Sequence, residues 1–503
     1  MIKQEISGKI RSFLFDNKVA ILFTIVVILA FQNSGVSTVM FFSELATRFG
    51  RNTFIVLSLL IPVVAGLGLN FGIVLGAMAA QIAIFFVVLL GVPGVYGIFL
   101  AALIATPIGI VFGYLVGKLF NKMKGTEMIG GLVTGLFADG FYQFFFLFIL
   151  GGVIPIATAR VMTSTGIGVL NAIDLNVSPS YMRQALDNVS MTTLLNVAFF
   201  ATLAFIIGLI IFKLVKKQAI HMLGQGGVIK PIVVFVLLGI AYAISFINLD
   251  FSEYLDQNRM GGITAVNVVF IGMLLSMAYR IIKEKCIDKK PGVPVGSIIN
   301  VVFIVLAYLL LTLQTDIYTG LSRVRVPVFT YMIIAGLCFF VKWFLNTRLG
   351  QNMRTVGQSR PVATAAGINV DKTRITAMIF STVLASYGQI IALQNFGVMQ
   401  TYGSHTQVGL YAIAALLVGG ATVSRASVKH ALLGVLLFHA LFILAPLAAN
   451  ELLGNALIGE YARVVVANGV IALALIMHAW TKIKKKKEKE SDKEEPKAEA
   501  ATA

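Results

Sequence analysis

Residues 347–372 read TRLGQNMRTVGQSRPVATAAGINVDK. This polar, arginine-bearing stretch separates two long apolar runs and carries the signals of a short helix of its own. Pro361 suits a first helical turn, where a missing N–H removes no intrahelical bond. Val362 to Ala366 are compact residues, and Gly367 can adopt the left-handed conformation that ends a helix. Pro361 to Gly367 is therefore expected to form about two turns, roughly 9 Å long. Displayed at a membrane surface, it is a docking element for a partner protein on that side.

The membrane follows from composition. The chain has 503 residues, 58% hydrophobic and 12% charged, with a mean hydropathy of +0.90. Soluble domains carry about twice that charge, roughly 25%. About fourteen apolar segments approach the ~20 residues that cross a bilayer. They centre near residues 29, 57, 81, 108, 139, 204, 239, 272, 305, 336, 384, 415, 437 and 471. The expected fold class is an all-α integral membrane protein.

The net charge of +18 reads as topogenic, because loops facing the cytoplasm collect Lys and Arg. No nucleic-acid partner is expected. With a cytoplasmic N-terminus and an even number of spans, both termini lie inside. The inside loops then hold Lys118, Lys122 and Lys124; Lys213, Lys216 and Lys217; Arg280, Lys283, Lys285, Lys289 and Lys290; Arg348, Arg354 and Arg360; and Arg425 and Lys429. The outside loops lean acidic, with Asp250, Glu253, Asp256, Glu451 and Glu460. Arg48 and Arg51 fit poorly and suggest an interfacial helix. Residues 1–18 read as a charged cytoplasmic N-terminus ahead of a first span that lacks a cleavage pattern. Residues 151–192, with Arg160, Asp174, Arg183 and Asp187, are too polar to span. They form an outer loop, either a meeting point for a substrate-delivering protein or a plain connection. Residues 482–503 read as a disordered cytoplasmic tail whose Lys cluster follows the last span.

Three motifs resemble those of one family. Thr347-Arg348-Leu349-Gly350, Gly357, Val362-Ala363 and Gly367-Ile368 are similar to the cytoplasmic coupling loop of ABC-importer permeases of the sugar, nucleoside and branched-chain amino acid type. Ser359 and Val362 depart from that pattern, where Asn and Ala are usual. Ala65 to Gly72, continuing to Gly76, resembles the family's Gly-rich break, and Leu416 to Ala421 its apolar Gly-Gly turn. The resemblance covers roughly residues 20–150 and 325–480. It implies a permease core of about ten spans in residues 19–150 and 326–481, with the coupling loop at 346–373. Residues 193–325 then form an insertion of about four spans.

The resemblance further implies a permease subunit of an ATP-driven importer, forming the translocation path for a sugar or nucleoside and coupling to a separate ATPase. Its ATPase-coupling residues would be Gly350, Arg354, Gly357, Arg360, Pro361, Ala363, Ala366, Gly367 and Ile368, with Arg354 and Arg360 meeting acids of the ATPase. Expected partners are an ABC ATPase, a substrate-binding protein or lipoprotein, and a second permease subunit, in a bacterial cytoplasmic (inner) membrane. The chain itself would bind no cofactor; ATP and Mg would sit on the partner ATPase.

The residues agree that this chain is not itself an enzyme. Gly113 to Lys118 lacks the second half of a phosphate loop, and no His pair has metal-ligand spacing. Cys286 and Cys338 form neither a metal motif nor a disulfide framework. Asp139 is the sharpest single residue. A carboxylate at bilayer depth faces a partner or a watery path. It is read either as a path residue, with Tyr142 and Gln143 beside it, or as the partner of a neighbouring Arg or Lys. Gly66, Gly68, Gly72 and Gly76 allow close helix packing or a broken helix lining a cavity. The second reading brings in Asn70 and Gly72, as the Gly-Gly turn brings in Gly419 and Gly420. An ion-gradient-driven transporter of a small polar solute is the alternative function, with Asp139 as its acid.

Overall fold

The computed structural model describes residues 18–156, 160–187, 259–282, 323–455 and 457–466, with scattered positions in 200–207, 301–313 and 468–472. The helices in chain order are α1 (Lys18–Gln32), α2 (Thr38–Ser58), α3 (Leu60–Val64), α4 (Ile73–Leu90), α5 (Gly94–Lys122), α6 (Glu127–Phe144), α7 (Gly262–Ile282), α8 (Val328–Phe344), α9 (Arg348–Gln358), α10 (Arg360–Ala365), α11 (Val370–Phe396), α12 (Val408–Val418) and α13 (Val428–Leu453). Four short strands accompany them: β1 (Ala172–Asp174), β2 (Arg259–Gly261), β3 (Arg325–Pro327) and β4 (Val398–Gln400). The fold is that of an all-α membrane protein, in which each spanning helix satisfies its own backbone polar groups as lipid requires.

Among the described residues, six helices are long and apolar enough to cross a membrane, or up to seven if a bent pair counts as one span. That pair is α8 and α9, which meet at 73°. The expected centres at 204, 239, 305 and 471 fall outside, or only partly within, the described residues, as do most of 193–325, residues 1–17 and the tail. The other centres fall on helices. Two expectations need correction. At 11 residues, α12 is roughly 16 Å long and cannot cross a ~30 Å core. The interfacial helix expected around Arg48 and Arg51 is instead part of a long apolar helical stretch, Thr38–Val64. Arg48 Nε reaches Glu44 Oε1 at 2.8 Å, and the Arg51 guanidinium lies 3.9 Å from the Phe396 ring centroid, so these charges are met inside the protein.

The chain forms two compact units: residues 1–184, 315–324 and 332–503, and residues 185–314 and 325–331. In the second unit β2 and β3 pair antiparallel, with Met260 opposite Val326. The Phe270 ring stacks on Tyr308 at 4.1 Å, and Thr330 donates to Asp187 at 2.5 Å.

In the first unit α11 is the central element, packed against α2, α4 and α5. A stripe of small residues on α5 makes this possible. A Cβ on Gly113 or Gly117 would run into the α11 backbone at Ile379 or Ile375, so the two helices approach as closely as small-residue interfaces in lipid allow. α13 packs on α1, α2 and α12. By contrast, α5 and α6 turn Phe99, Leu103, Leu136 and Phe137 outward, a surface suited to lipid or to another apolar chain.

The loops expected inside gather at one end of this unit. Lys124 pairs with Asp371, and a Cβ on Gly68 would meet both Met128 and Val423. At the other end of α11, β1 pairs antiparallel with β4, Ile173 opposite Met399, and Leu175 N–H donates to the Gly397 carbonyl at 2.9 Å. The stretch read as an outer loop thus covers the end of α11 remote from 347–372.

Candidate functional site: a displayed helix and a cavity

Residues 347–372 contain three successive helix starts, each capped by a short polar side chain. Thr347 Oγ1 accepts from Gly350 N–H, Ser359 Oγ from Val362 N–H, and Asn369 Oδ1 from Lys372 N–H. The displayed helix runs from Arg360 to Ala365, with Pro361 in its first turn. Gly367 has φ +75°, and Ile368 N–H returns to the Ala363 carbonyl at 3.0 Å, the closure expected of a glycine-terminated helix. Ala363 is fully buried beneath it, while Pro361, Thr364 and Ala366 are exposed and Val362 is 59% exposed. The whole outer face of α10 is open.

One feature escaped the sequence reading. Arg348–Gln358 is itself helical, burying Gly350, Met353 and Val356 and exposing Arg354. The spacing of those three residues, i, i+3 and i+6, was the available signal. Gly350 sits so close to the end of α8 that a Cβ would meet the Phe344 carbonyl and Leu345. Arg360, expected to meet an acid of the ATPase, pairs through Nη2 with Glu127 Oε1 of the same chain at 2.7 Å and keeps 35% of its side chain exposed.

The Gly-rich break lies directly against this segment. A Cβ on Gly66, where φ is +71°, would sit 2.7 Å from Gly357 Cα, and one on Gly357 would collide with the Val64 carbonyl. Asn70 is fully buried, with Nδ2 donating to Ser381 Oγ at 3.5 Å. Gly72 packs against Asn70 and Val116. Gly419 abuts the backbone of α13 at His430 and Gly434, and Gly420 has φ +91°.

Among the described residues Asp139 has neither an Arg nor a Lys partner. Its Oδ1 lies 2.6 Å from His405 Nε2, and its Oδ2 accepts from Gln143 Nε2 at 3.0 Å. Tyr142 is buried between His405, at 4.8 Å, and Phe146, at 4.4 Å. Burial lowers the His405 pKa below the usual imidazole value, opposed by the hydrogen bond and charge of Asp139. A neutral imidazole donating through Nε2 fits, since its Nδ1 has no hydrogen-bond partner. Sequence spacing could not reveal this pair, whose members lie 266 residues apart.

His405 belongs to the turn residues between β4 and α12, and that turn walls a cavity of about 310 Å³. Asn52 from α2, Gln389 and Phe396 from α11, Gln400, Gln407 and Tyr411 are among its lining. The turn is fixed from several sides. Gln81 donates to the Gln400 carbonyl, Gln389 to the Ser404 carbonyl, and Tyr402 to the Val169 carbonyl. Among the described residues no ionised side chain lines the cavity, and the buried Gln389 Oε1 has no hydrogen-bond partner. Of the path residues expected from sequence, Asn70, Gly72, Asp139, Tyr142, Gln143, Gly419 and Gly420, none lines this cavity. Among the described residues no group of three or more His, Cys, Asp or Glu could hold a metal ion.

Bundled apolar helices surround a cavity lined by amides, a tyrosine and apolar side chains, with a small helix displayed at the far end, the architecture of a multi-pass membrane protein. The chain belongs to the family described as branched-chain amino acid transport system, permease component, which matches residues 188–479, more than half of its length. The matched region includes the stretch 193–325 read from sequence as an insertion. The chain is also 31% identical over 146 residues to the ribose import permease protein RbsC of Escherichia coli strain K12, and equally to that of Escherichia coli O157:H7. These matches cover 29% of this chain and 43% of each relative, less than half the relatives' length. No solved structure matches. Members of this family are membrane subunits of transport systems and not catalysts.

Proposed function

We propose that this chain forms the translocation path of an ATP-driven importer of a sugar or nucleoside, with ATP and Mg bound by a separate ATPase that docks on α10. The observation that carries the reading is the cavity. Its volume, about 310 Å³, is at the lower end of ordinary ligand sites, which run from ~300 Å³. Its amides and tyrosine can exchange hydrogen bonds with a neutral polyol, and the Phe396 and Tyr411 rings can face a sugar or base. A zwitterionic amino acid would have to leave water without a charged side chain to meet it, which is unfavourable. The similarity to ribose import permeases supports the same substrate class.

In this reading the 347–372 end faces the cytoplasm of a bacterial cell, and both termini lie on that side. A substrate-binding protein or lipoprotein delivers substrate at the opposite end, near β1 and β4. A second permease subunit, identical or homologous, completes the path. Movement of the docked helices switches access between the two sides. The ion-driven alternative would have to work through Asp139 in its hydrogen bonds to His405 and Gln143.

Uptake of labelled ribose and uridine into cells carrying the complete system tests the substrate class. Saturable uptake of either, unaffected by excess leucine, is expected. Leucine uptake with no response to sugar or nucleoside would defeat it.

A further inference from the structure

Glu127, the first residue of α6, is almost fully enclosed; its side chain is 9% exposed. Its Oε1 accepts from Arg360 Nη2 at 2.7 Å and from Arg374 Nη2 at 2.5 Å, and its Oε2 accepts from Gly125 N–H at 2.8 Å. Arg360 belongs to the displayed helix α10. Arg374 lies in the second turn of α11, is 0% exposed, and also donates to the Phe120 carbonyl at the end of α5. One carboxylate therefore joins α6, α10 and α11. The neighbouring Lys124–Asp371 pair is half exposed, and such pairs contribute little.

The far end of α11 supplies Gln389 and Phe396 to the cavity. A rigid helix of 27 residues, roughly 40 Å long, thus runs from the Glu127 cluster to the cavity wall. Resting on the docking assignment above, we propose that Glu127 is the positioning residue that ties the ATPase-docking helix to α11. Displacement of α10 moves Arg360, Glu127 follows it, and Arg374 carries the shift into the helix that shapes the cavity. The competing role for Arg360, direct contact with the ATPase, makes a different forecast.

Arg360→Gln separates the two. It detaches α10 while leaving Glu127 paired with buried Arg374. In proteoliposomes holding the permease with its ATPase, the ATPase should co-purify and hydrolyse ATP as with wild type. Transport per ATP hydrolysed should fall about tenfold, the scale of an ordinary coupling energy. Arg360→Lys, which keeps the charge, should recover much of that ratio, and Glu127→Gln should show the same uncoupling. Should Glu127→Gln fail to fold, the Arg360 pair of variants still decides. Loss of the ATPase from Arg360→Gln would make Arg360 a docking residue and overturn the proposal. So would an unchanged ratio of transport to hydrolysis, or a ratio not recovered by Lys. A wild-type complex that holds no ATPase would instead defeat the docking assignment on which the proposal rests.

Discussion

Gly66 and Gly357 meet backbone to backbone, although 291 residues separate them in sequence (357 − 66). The Gly-rich break after α3 and the helix that precedes the displayed segment are therefore one packed joint. Gly66 has φ +71° and a Cβ there would lie 2.7 Å from Gly357 Cα.

Gly66→Ala combines backbone strain with overlap and should destabilise by about 1–3 kcal/mol. Gly357→Ala should behave similarly, because its Cβ would strike the Val64 carbonyl. Thermal unfolding in mild detergent reads this as a lower Tm. Gly135→Ala is the control, since the nearest atom to its Cβ would be 3.8 Å away. Equal Tm values for all three would mean that the joint is not tight.

Val362 faces outward on α10 and is 59% exposed. Val362→Asp should leave Tm unchanged, within the ±0.5 kcal/mol usual for exposed positions, and abolish co-purification of the ATPase from native membranes. Retention of the ATPase would show that α10 is not the docking element.

Gln389 lines the cavity, and its Nε2 donates to the Ser404 carbonyl. Gln389→Leu removes the side-chain amide and that hydrogen bond. Uptake should fall by about tenfold or more, since an interaction of 1–2 kcal/mol is lost, while the ATPase still co-purifies. Uptake equal to wild type would place the substrate elsewhere.

His405 gives a pH dependence with a definite sign. Its folded pKa is lowered, chiefly by burial, so the unfolded chain binds the proton more readily. This contribution to stability is complete above the ordinary imidazole value, about 6.5, and declines as pH falls through the lower folded value. The Tm of wild type should therefore drop on acidification below about pH 6.5, and His405→Gln should flatten that slope. An identical slope in the variant would show that other groups set the acid limb.

The membrane class, the helical fold and the displayed segment were all readable along the chain. Each depends on signals that are local: apolar runs of bilayer length, a proline at a helix start, and a glycine at its end. Residues 347–372 are the clearest case, because caps and breakers act within a turn of where they stand. Even there the helix Arg348–Gln358 went unread, since its buried stripe of Gly350, Met353 and Val356 spans less than two turns.

The cavity, the Asp139–His405 pair and the Glu127 cluster were not readable. Their members come from helices far apart in sequence, and nothing in the local pattern around Glu127 or His405 distinguishes them from loop residues. Asp139 was recognisable as anomalous because a carboxylate within an apolar helix demands a partner, but the partner's identity came from how α6 packs against the turn before α12. Sequence alone determined that this chain enters a membrane and what it displays at one face. Tertiary structure decided which polar groups meet inside, because burial makes an unpaired charge or amide costly and only the packed helices determine where each one finds its complement.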